Sequence, residues 1–152
     1  MNAIEILNRC RDAQRDIKRL DERLARLREC ASSSTSCMDR IGGRSSGVGD
    51  KVSTFAVDIA DIEDQIAKRK RAYEAEMLAA CKIVDMLPES ECVVLYRYYV
   101  QGQTQGGIAA ALNYSVSYVK RKKQDGLKLA EQIAPAAVDA LLPAWYVKAE
   151  RG

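Results

Sequence analysis

Apolar residues recur in steps of three and four from Ala3 to Ala31, on a background of mixed charges. The positions that share this spacing are Ala3, Ile6, Cys10, Ala13, Ile17, Leu20, Leu24, Leu27 and Ala31. Heptad spacing of this kind predicts a long amphipathic helix whose apolar seam packs against another helix. At 1.5 Å per residue the helix would be about 43 Å long, too long for a small domain to cover by itself.

A second stretch with helical spacing follows residues 32–50, which are rich in Ser and Gly and have no apolar period. We expect those residues to form a flexible connection, and the second helix to begin near Asp50 or Ser53 and run to Leu87. Its apolar positions are Val52, Phe55, Ile59, Ile62, Ile66, Tyr73, Met77, Ala80 and Val84. Residues 1–86 are therefore predicted to fold as a long antiparallel helical hairpin, a coiled coil. The same seam could instead pair between chains and form a homodimer.

Four consecutive cations, Lys68–Arg71, interrupt the apolar period of the second helix. One interpretation is a contact to DNA or to a polymerase. The other is a solvated face of the coil, on which Asp64 pairs with Lys68 one helical turn away. The spacing is compatible with both.

The pattern over residues 87–133 predicts a helix-turn-helix, the motif that places its last helix in a DNA groove. Leu87-Pro88 separates this motif from the long helix, because the residue before a proline avoids the αR conformation. Gly102 suits the positive φ beyond the end of the motif's first helix. Thr104 is expected to cap the next helix, whose apolar positions are Ile108, Ala109 and Leu112.

The turn before the last helix is expected at Leu112-Asn113-Tyr114-Ser115. Asn113 enters the left-handed region at low cost, and Ser115 can accept a hydrogen bond from the first amides of the last helix. The side chains expected to face inward from that helix are Val119, Lys123 (through its stem) and Leu127. Those expected to face outward are Val116, Ser117, Lys120, Arg121 and Gln124.

The outward positions carry side chains that suit the edges of DNA bases. Arg and Lys pair with guanine, Gln pairs with adenine, and an exposed Val contacts a thymine methyl. Thr104 and Gln105 are candidates for phosphate contacts at a helix amino terminus. Lys122 and Lys128 are further phosphate candidates, whose contribution falls with salt. The alternative is that Lys120–Lys123 is an ordinary solvated face, but we favour DNA binding because the run follows a capped turn.

Residues 134–152 are predicted to form a short helix and a tail. Pro135 suits the first position of a helix that ends before Pro143. Trp145 and Tyr146 are expected to pack back on the domain. Three tyrosines at helical spacing before Gly102 are likewise expected to be packing residues, not a platform for stacked bases: Tyr96, Tyr98 and Tyr99.

Composition narrows the function classes. Of the 152 residues, 30% are charged, 6% are aromatic and 3 are prolines, a composition that favours helices. The net charge of +3 permits nucleic-acid binding without arguing for it. Histidine is missing, and with it the commonest general base and metal ligand. The 5 cysteines have no C-x-x-C spacing, and no Gly-rich loop has a P-loop's lysine. We therefore expect no enzyme activity, no catalytic residues, no metal site and no cofactor.

The start of the chain lacks a basic segment followed by an apolar core, so we expect no signal peptide. No apolar run approaches the roughly 18 residues that span a bilayer. We expect a cytoplasmic, nucleoid-associated protein with reduced thiols and no membrane partner.

Residues 87–133 resemble region 4 of the bacterial sigma-70 family. The family pattern begins with Leu-Pro and a helix that ends in Tyr. It continues with Gly, Ser/Thr, Ile-Ala and Leu, and it closes with a capped basic helix. The matching residues here are Leu87-Pro88, Tyr99, Gly102, Thr104, Ile108-Ala109, Leu112 and Ser115. Most of the chain is also similar to the RinA/ArpU-like group of phage and prophage regulators of late transcription. Members of that group share a charged helical first half and a Ser/Gly-rich stretch ending in Asp-Lys-Val, here Asp50-Lys51-Val52.

Two positions depart from the family pattern. Gly106-Gly107 stands where the family has an acidic pair, and each glycine costs about 1 kcal/mol relative to alanine inside a helix. The helix after Thr104 is therefore predicted to be short or frayed at its start. Tyr98 stands where the family often has arginine.

The resemblance implies a regulator of transcription that binds double-stranded DNA sequence-specifically. It implies a phage-encoded, sigma-like activator of late genes with the host RNA polymerase as a partner. Two other functions remain open. One is a small DNA-packaging protein, similar to a terminase small subunit, that assembles into a ring, and the other is a coiled-coil interaction protein without DNA binding.

Overall fold

The computed structural model describes the backbone of residues 1–38 and 46–152 and the side chains of residues 1–33 and 53–152. All regular elements in these ranges are helical, which confirms the predicted all-α class. The helices are α1 Ala3–Met38, α2 Ser46–Asp85, α3 Glu89–Leu95, α4 Gln105–Leu112, α5 Val116–Glu131, α6 Pro135–Ala140 and α7 Ala144–Arg151. No helix within this described part is long and apolar enough to cross a bilayer.

Contacts between residues divide the chain into two compact units. Residues 1–14 and 71–152 form one, which we call the terminal unit, and residues 15–70 form the other, the central unit. This division differs from the predicted boundary after residue 86. The reason is that the first turns of α1 and the last turns of α2 share a core with the helices that follow.

The central unit has a small apolar core along the helical seams. Its buried residues are Leu24, Ile62 and Ile66, with Leu20, Leu27 and Ile59 partly buried around them. Arg28 pairs with Glu63 at 2.8 Å, and Asp16 pairs with Arg69 at 3.6 Å. The partner's number falls as the number along α1 rises, which is the order expected for two antiparallel helices.

The basic run at residues 68–71 contacts other side chains in each unit. In the central unit Lys68 Nζ lies 2.8 Å from Asp64 Oδ2, which is the i, i+4 pair that the sequence predicted. In the terminal unit the Arg71 guanidinium lies 4.4 Å from the ring centroid of Trp145. The first and last cations of the run therefore both have partners within the chain.

The long helices have different ends from those predicted. α1 continues through residues 32–38, because serine is only modestly worse than alanine inside a helix. α2 already includes residues 46–50 and ends at Asp85, two residues before Leu87. The predicted connection at 32–50 is thus helical at both ends, and its remaining residues, together with the Val52 side chain, lie outside the described part.

The core of the terminal unit joins six of the seven helices. Its fully buried members include Ile6, Leu7, Ile83, Leu95, Ala130 and Val138. Leu7 was not on the predicted seam of α1. It is buried because α1 is covered on a wider face here than a two-helix coil would cover. A smaller cluster lies between α3, α4 and α5 and consists of Val94, Ile108, Ala109 and Val119.

The first helix of the predicted motif is not uniform. After α3 the backbone widens into a π-helical segment, Tyr96–Val100, in which Gln101 N donates to Tyr96 O at 3.0 Å. Segments of this kind are rare and occur mostly as single turns within α-helices. Gly102 follows with φ of 69°, as the sequence predicted.

The chain after residue 133 forms two short helices instead of one helix and a tail. Pro135 is at the first position of α6, and α6 ends before Pro143, both as predicted. α7 was not predicted. It buries Tyr146, which confirms the packing role of that residue, whereas Trp145 remains 39% exposed.

Candidate nucleic-acid interface

Two capped turns position α4 and α5. Thr104 Oγ1 accepts a hydrogen bond from Gly107 N at 3.1 Å, and Ser115 Oγ accepts one from Tyr118 N at 3.1 Å. Between the two helices Asn113 adopts φ of 56° and ψ of 40°, in the left-handed region. These geometries confirm both predicted caps and the predicted turn, and α4 is a short helix of 8 residues that begins at Gln105.

The inward face of α5 packs on α3 and α4, partly through apolar residues. Val119 is fully buried in the smaller cluster, and Leu127 is partly buried against the larger core. Both residues were predicted to face inward. Gly126 is buried on the same face, where α5 passes close to α3.

The outward face of α5 carries the five side chains that the sequence predicted there. All five are exposed to solvent: Val116, Ser117, Lys120, Arg121 and Gln124. Val116, the first residue of the helix, is 51% exposed. The Arg121 guanidinium lies 5.5 Å from the ring centroid of Tyr118, on its own helix. One accessible face therefore presents two cations, an amide, a hydroxyl and an apolar group.

Lys122 is directed to a partner inside the protein. Its Nζ lies 3.0 Å from Glu91 Oε1 on α3, and the side chains are only 22% and 10% exposed. The Ser90 hydroxyl donates to Glu91 Oε2 at 2.6 Å. The hydrogen bonds from Ser90 and Lys122 hold the pKa of Glu91 below its ordinary value of 4.5, and Glu91 raises the pKa of Lys122. The charge of Lys122, a predicted phosphate contact, is thus balanced by Glu91.

Lys123 also faces the protein, as its predicted inward stem requires. Its Nζ lies 4.0 Å from the ring centroid of Tyr98 and 5.9 Å from that of Tyr99. Tyr99 is 3% exposed, and burial raises the pKa of its phenol to about 12. The four consecutive cations of α5 therefore divide into an outward pair, Lys120 and Arg121, and an inward pair.

The remaining predicted phosphate contacts lie at the start of α4 and in the last turn of α5. Thr104 is exposed and Gln105 half-buried, and both stand at the start of α4 where free backbone amides point outward. Lys128 is exposed in the last turn of α5. All three are accessible to a ligand from solvent.

Comparison of the chain with protein-family models, with curated proteins and with solved structures found no match.

Two residues of α1 that the sequence did not single out contact the same motif. Arg11 donates hydrogen bonds to the carbonyl oxygens of Tyr98 and Gln103, and its guanidinium lies 3.7 Å from the Tyr98 ring centroid. Gln14 Nε2 donates to the carbonyl oxygens of the two residues after Tyr98, at 3.2 and 2.8 Å. No local pattern could have found these contacts, because the donors lie more than 80 residues before their acceptors.

The carboxylate and thiol side chains are spread out and not clustered in the described part of the chain. Among the described side chains, no group of three or more that could ligate a metal ion lies together. Burial raises the pKa of the Cys81 and Cys92 thiols. Both thiols are therefore protonated at neutral pH, and protonated thiols are poor nucleophiles and poor metal ligands.

Proposed function

We propose that the protein is a sequence-specific regulator of transcription that binds double-stranded DNA with α5 as its recognition helix. The observation that carries this proposal is the outward face of α5, which is exposed, mixed in chemistry and held behind a capped turn. A helix that enters a major groove can use such a face, because its cations and amide suit base edges and an exposed valine suits a thymine methyl.

The residues would divide their roles by position. Arg121 and Lys120 would pair with guanine, Gln124 with adenine, and Val116 would contact a thymine methyl, with Ser117 beside them. Thr104, Gln105 and Lys128 would contact phosphate and orient the motif. Lys122 would support α5 through Glu91 and would add little to the phosphate contacts.

The wider proposal follows the resemblance to region 4 of the sigma-70 family. In it residues 1–86 form an antiparallel hairpin within one chain, and the regulator is a phage-encoded, sigma-like activator of late genes that contacts the host RNA polymerase. The order of ion pairs between α1 and α2 supports the hairpin. The alternative is that the long helices pair between two chains and form a homodimer. A measurement of molecular mass in solution would distinguish the monomer from the dimer.

The decisive experiment is selection of bound duplexes from a random library, followed by titration of the selected site and of random DNA. Arg121→Ala is expected to cost about 1–3 kcal/mol on the selected site and to relax the preference at one base pair. Lys128→Ala is expected to weaken binding to both duplexes alike and to lower the salt slope by about 1.

Matched controls remove the same charges from the central unit. Arg23 and Lys18 are exposed on α1, and Arg23→Ala and Lys18→Ala should leave the preference between duplexes unchanged. Equal losses for Arg121→Ala and Arg23→Ala would contradict base recognition. A wild-type protein that binds no duplex at low salt would support the interaction protein, and a large ring in solution would support the packaging protein.

A further inference from the structure

Tyr98 is the one residue in the motif whose ring is contacted by cations from two different helices of the terminal unit. Arg11 of α1 and Lys123 of α5 lie 3.7 and 4.0 Å from the ring centroid. Both distances are well inside the range of about 6 Å over which a ring face attracts a cation. The aromatic ring is therefore a shared partner for α1 and α5.

The backbone around Tyr98 is also held by α1. Its carbonyl oxygen accepts a hydrogen bond from Arg11, and the next two carbonyls accept hydrogen bonds from Gln14. These carbonyls are at the end of the π-helical segment, where regular pairing stops. α1 thus holds the segment in place, and the ring of Tyr98 is presented to Lys123 from a fixed backbone.

Lys123 stands two residues from Arg121 on the same helix. A rotation or small shift of α5 that removed the ammonium of Lys123 from the ring would also move the outward side chains. The ion pair of Lys122 with Glu91 limits the same motion from α3. Two neighbouring lysines on the inward side of α5 therefore contact α3 and the ring of Tyr98.

We propose that Tyr98 is a positioning residue that fixes the orientation of α5 through Lys123, and that it thereby sets the discrimination between a specific DNA site and random DNA. The second half of this inference rests on the proposed function, and the first half does not. Tyr98 itself would not touch DNA.

The test compares Tyr98→Phe, which keeps the ring, with Tyr98→Leu, which keeps much of the volume but removes the ring. All proteins are measured well below their melting temperatures, so that each is fully folded. We expect Tyr98→Leu to lower the ratio of specific to random affinity by about 3- to 10-fold, and Tyr98→Phe to restore it to within about twofold of the wild type. Tyr96→Leu, at a neighbouring tyrosine of the π-helical segment that is 38% exposed, is the matched control.

Lys123→Met tests the same contact from the other side, because methionine keeps an unbranched stem without the charge. It also decides the matter if Tyr98→Leu fails to fold. If the inference is right, Lys123→Met lowers the affinity ratio in the same direction as Tyr98→Leu, and the double variant loses no more than Tyr98→Leu alone. An unchanged ratio in Lys123→Met, or equal losses on both duplexes, would overturn the role in discrimination.

Amide hydrogen exchange separates this inference from the proposed function, because it needs no DNA. Tyr98→Leu should speed exchange of the α5 amides more than those of α6, and Tyr98→Phe should not. Faster exchange in α5 of Tyr98→Leu, together with no DNA binding by the wild type, would contradict the proposed function and still support the positioning role. Unchanged exchange in α5 would overturn the positioning role whatever the DNA result.

Discussion

Gly126 occupies a place on α5 where no side chain fits. A Cβ atom there would lie 2.8 Å from Leu95 Cδ1 and 3.2 Å from Glu91 Cβ, both on α3. Real Cβ contacts are almost never as short as 2.8 Å, so either the buried Leu95 side chain or the α3–α5 spacing would have to shift. Gly106, at the start of α4, is the opposite case, because nothing lies within 4 Å of its Cβ position.

These two glycines give a matched pair of alanine substitutions. Gly126→Ala should lower the free energy of unfolding by about 1–3 kcal/mol, because it overpacks the α3–α5 contact. Gly106→Ala should raise it by up to about 1 kcal/mol, because it removes glycine's entropy cost at an open helical position. Urea unfolding of both variants and the wild type measures the two changes. A stabilising Gly126→Ala would mean that α3 and α5 are farther apart than described.

The residues that the sequence identified correctly are those whose partners lie close along the chain. Thr104 and Ser115 each cap an amide three residues ahead, and Asn113 and Gly102 have positive φ because of their own side chains or lack of one. Gly126 carried no such signal. Its neighbour Leu95 lies in another helix, and the need for a glycine appears only when the two helices meet.

At the scale of the element, α5 shows that a run of charges along the chain is not a run in space. Lys120 and Arg121 point outward, while Lys122 and Lys123 bind Glu91 and the ring of Tyr98. Helical spacing predicted the inward stem of Lys123. It could not predict the partner of Lys122, because that depends on which residue of α3 stands opposite.

The Glu91–Lys122 pair should make stability depend on acid pH. The pKa of Glu91 is lowered in the folded protein, so its stabilising effect is fully present above the ordinary value of 4.5 and is lost as pH falls through the lower folded value. The melting temperature of the wild type should therefore exceed that of Glu91→Gln at about pH 7, and the difference should shrink toward about pH 3. Thermal melts across this range check the effect. A constant difference at every pH would show that the carboxylate charge is not what stabilises the contact.

At the scale of the whole molecule, contacts between distant parts of the chain hold the terminal unit together. Tyr146 of α7 donates its hydroxyl proton to Glu76 of α2 at 2.6 Å and accepts a hydrogen bond from Arg9 of α1 at 3.2 Å. Arg9 also pairs with Glu150 at 2.8 Å. Burial and Glu76 raise the pKa of Tyr146 to about 12, so its hydroxyl remains a donor at neutral pH.

Tyr146→Phe isolates the hydroxyl group of this network. Glu76 is 2% exposed, and the substitution removes one of its donors while the ring stays in place. The free energy of unfolding should fall by roughly 1–3 kcal/mol, the cost of an incompletely satisfied buried polar group. Tyr114→Phe, at a tyrosine that is 50% exposed, should change it little. Equal effects of the two substitutions in urea unfolding would mean that the hydroxyl of Tyr146 contributes no more than an exposed one.

The sequence predicted the class of the fold and the two long helices, because periodicity is a property of each helix alone. It did not predict α7 or the π-helical segment. Tyr146 of α7 contacts Glu76 and Arg9, and carbonyl groups of the π-helical segment accept hydrogen bonds from α1. Both segments therefore have partners far away along the chain, which the spacing of apolar residues within one helix does not reveal.

Trp145 is the only tryptophan in the chain, and its indole lies against the guanidinium of Arg71 in the terminal unit. Its fluorescence emission is therefore an intrinsic reporter for that unit, whereas far-ultraviolet circular dichroism sums the helices of both units. Coincidence of the two signals during denaturation is the standard criterion for all-or-none unfolding. The chain thus carries the optical probe needed to learn whether its two units melt as one, without any attached dye.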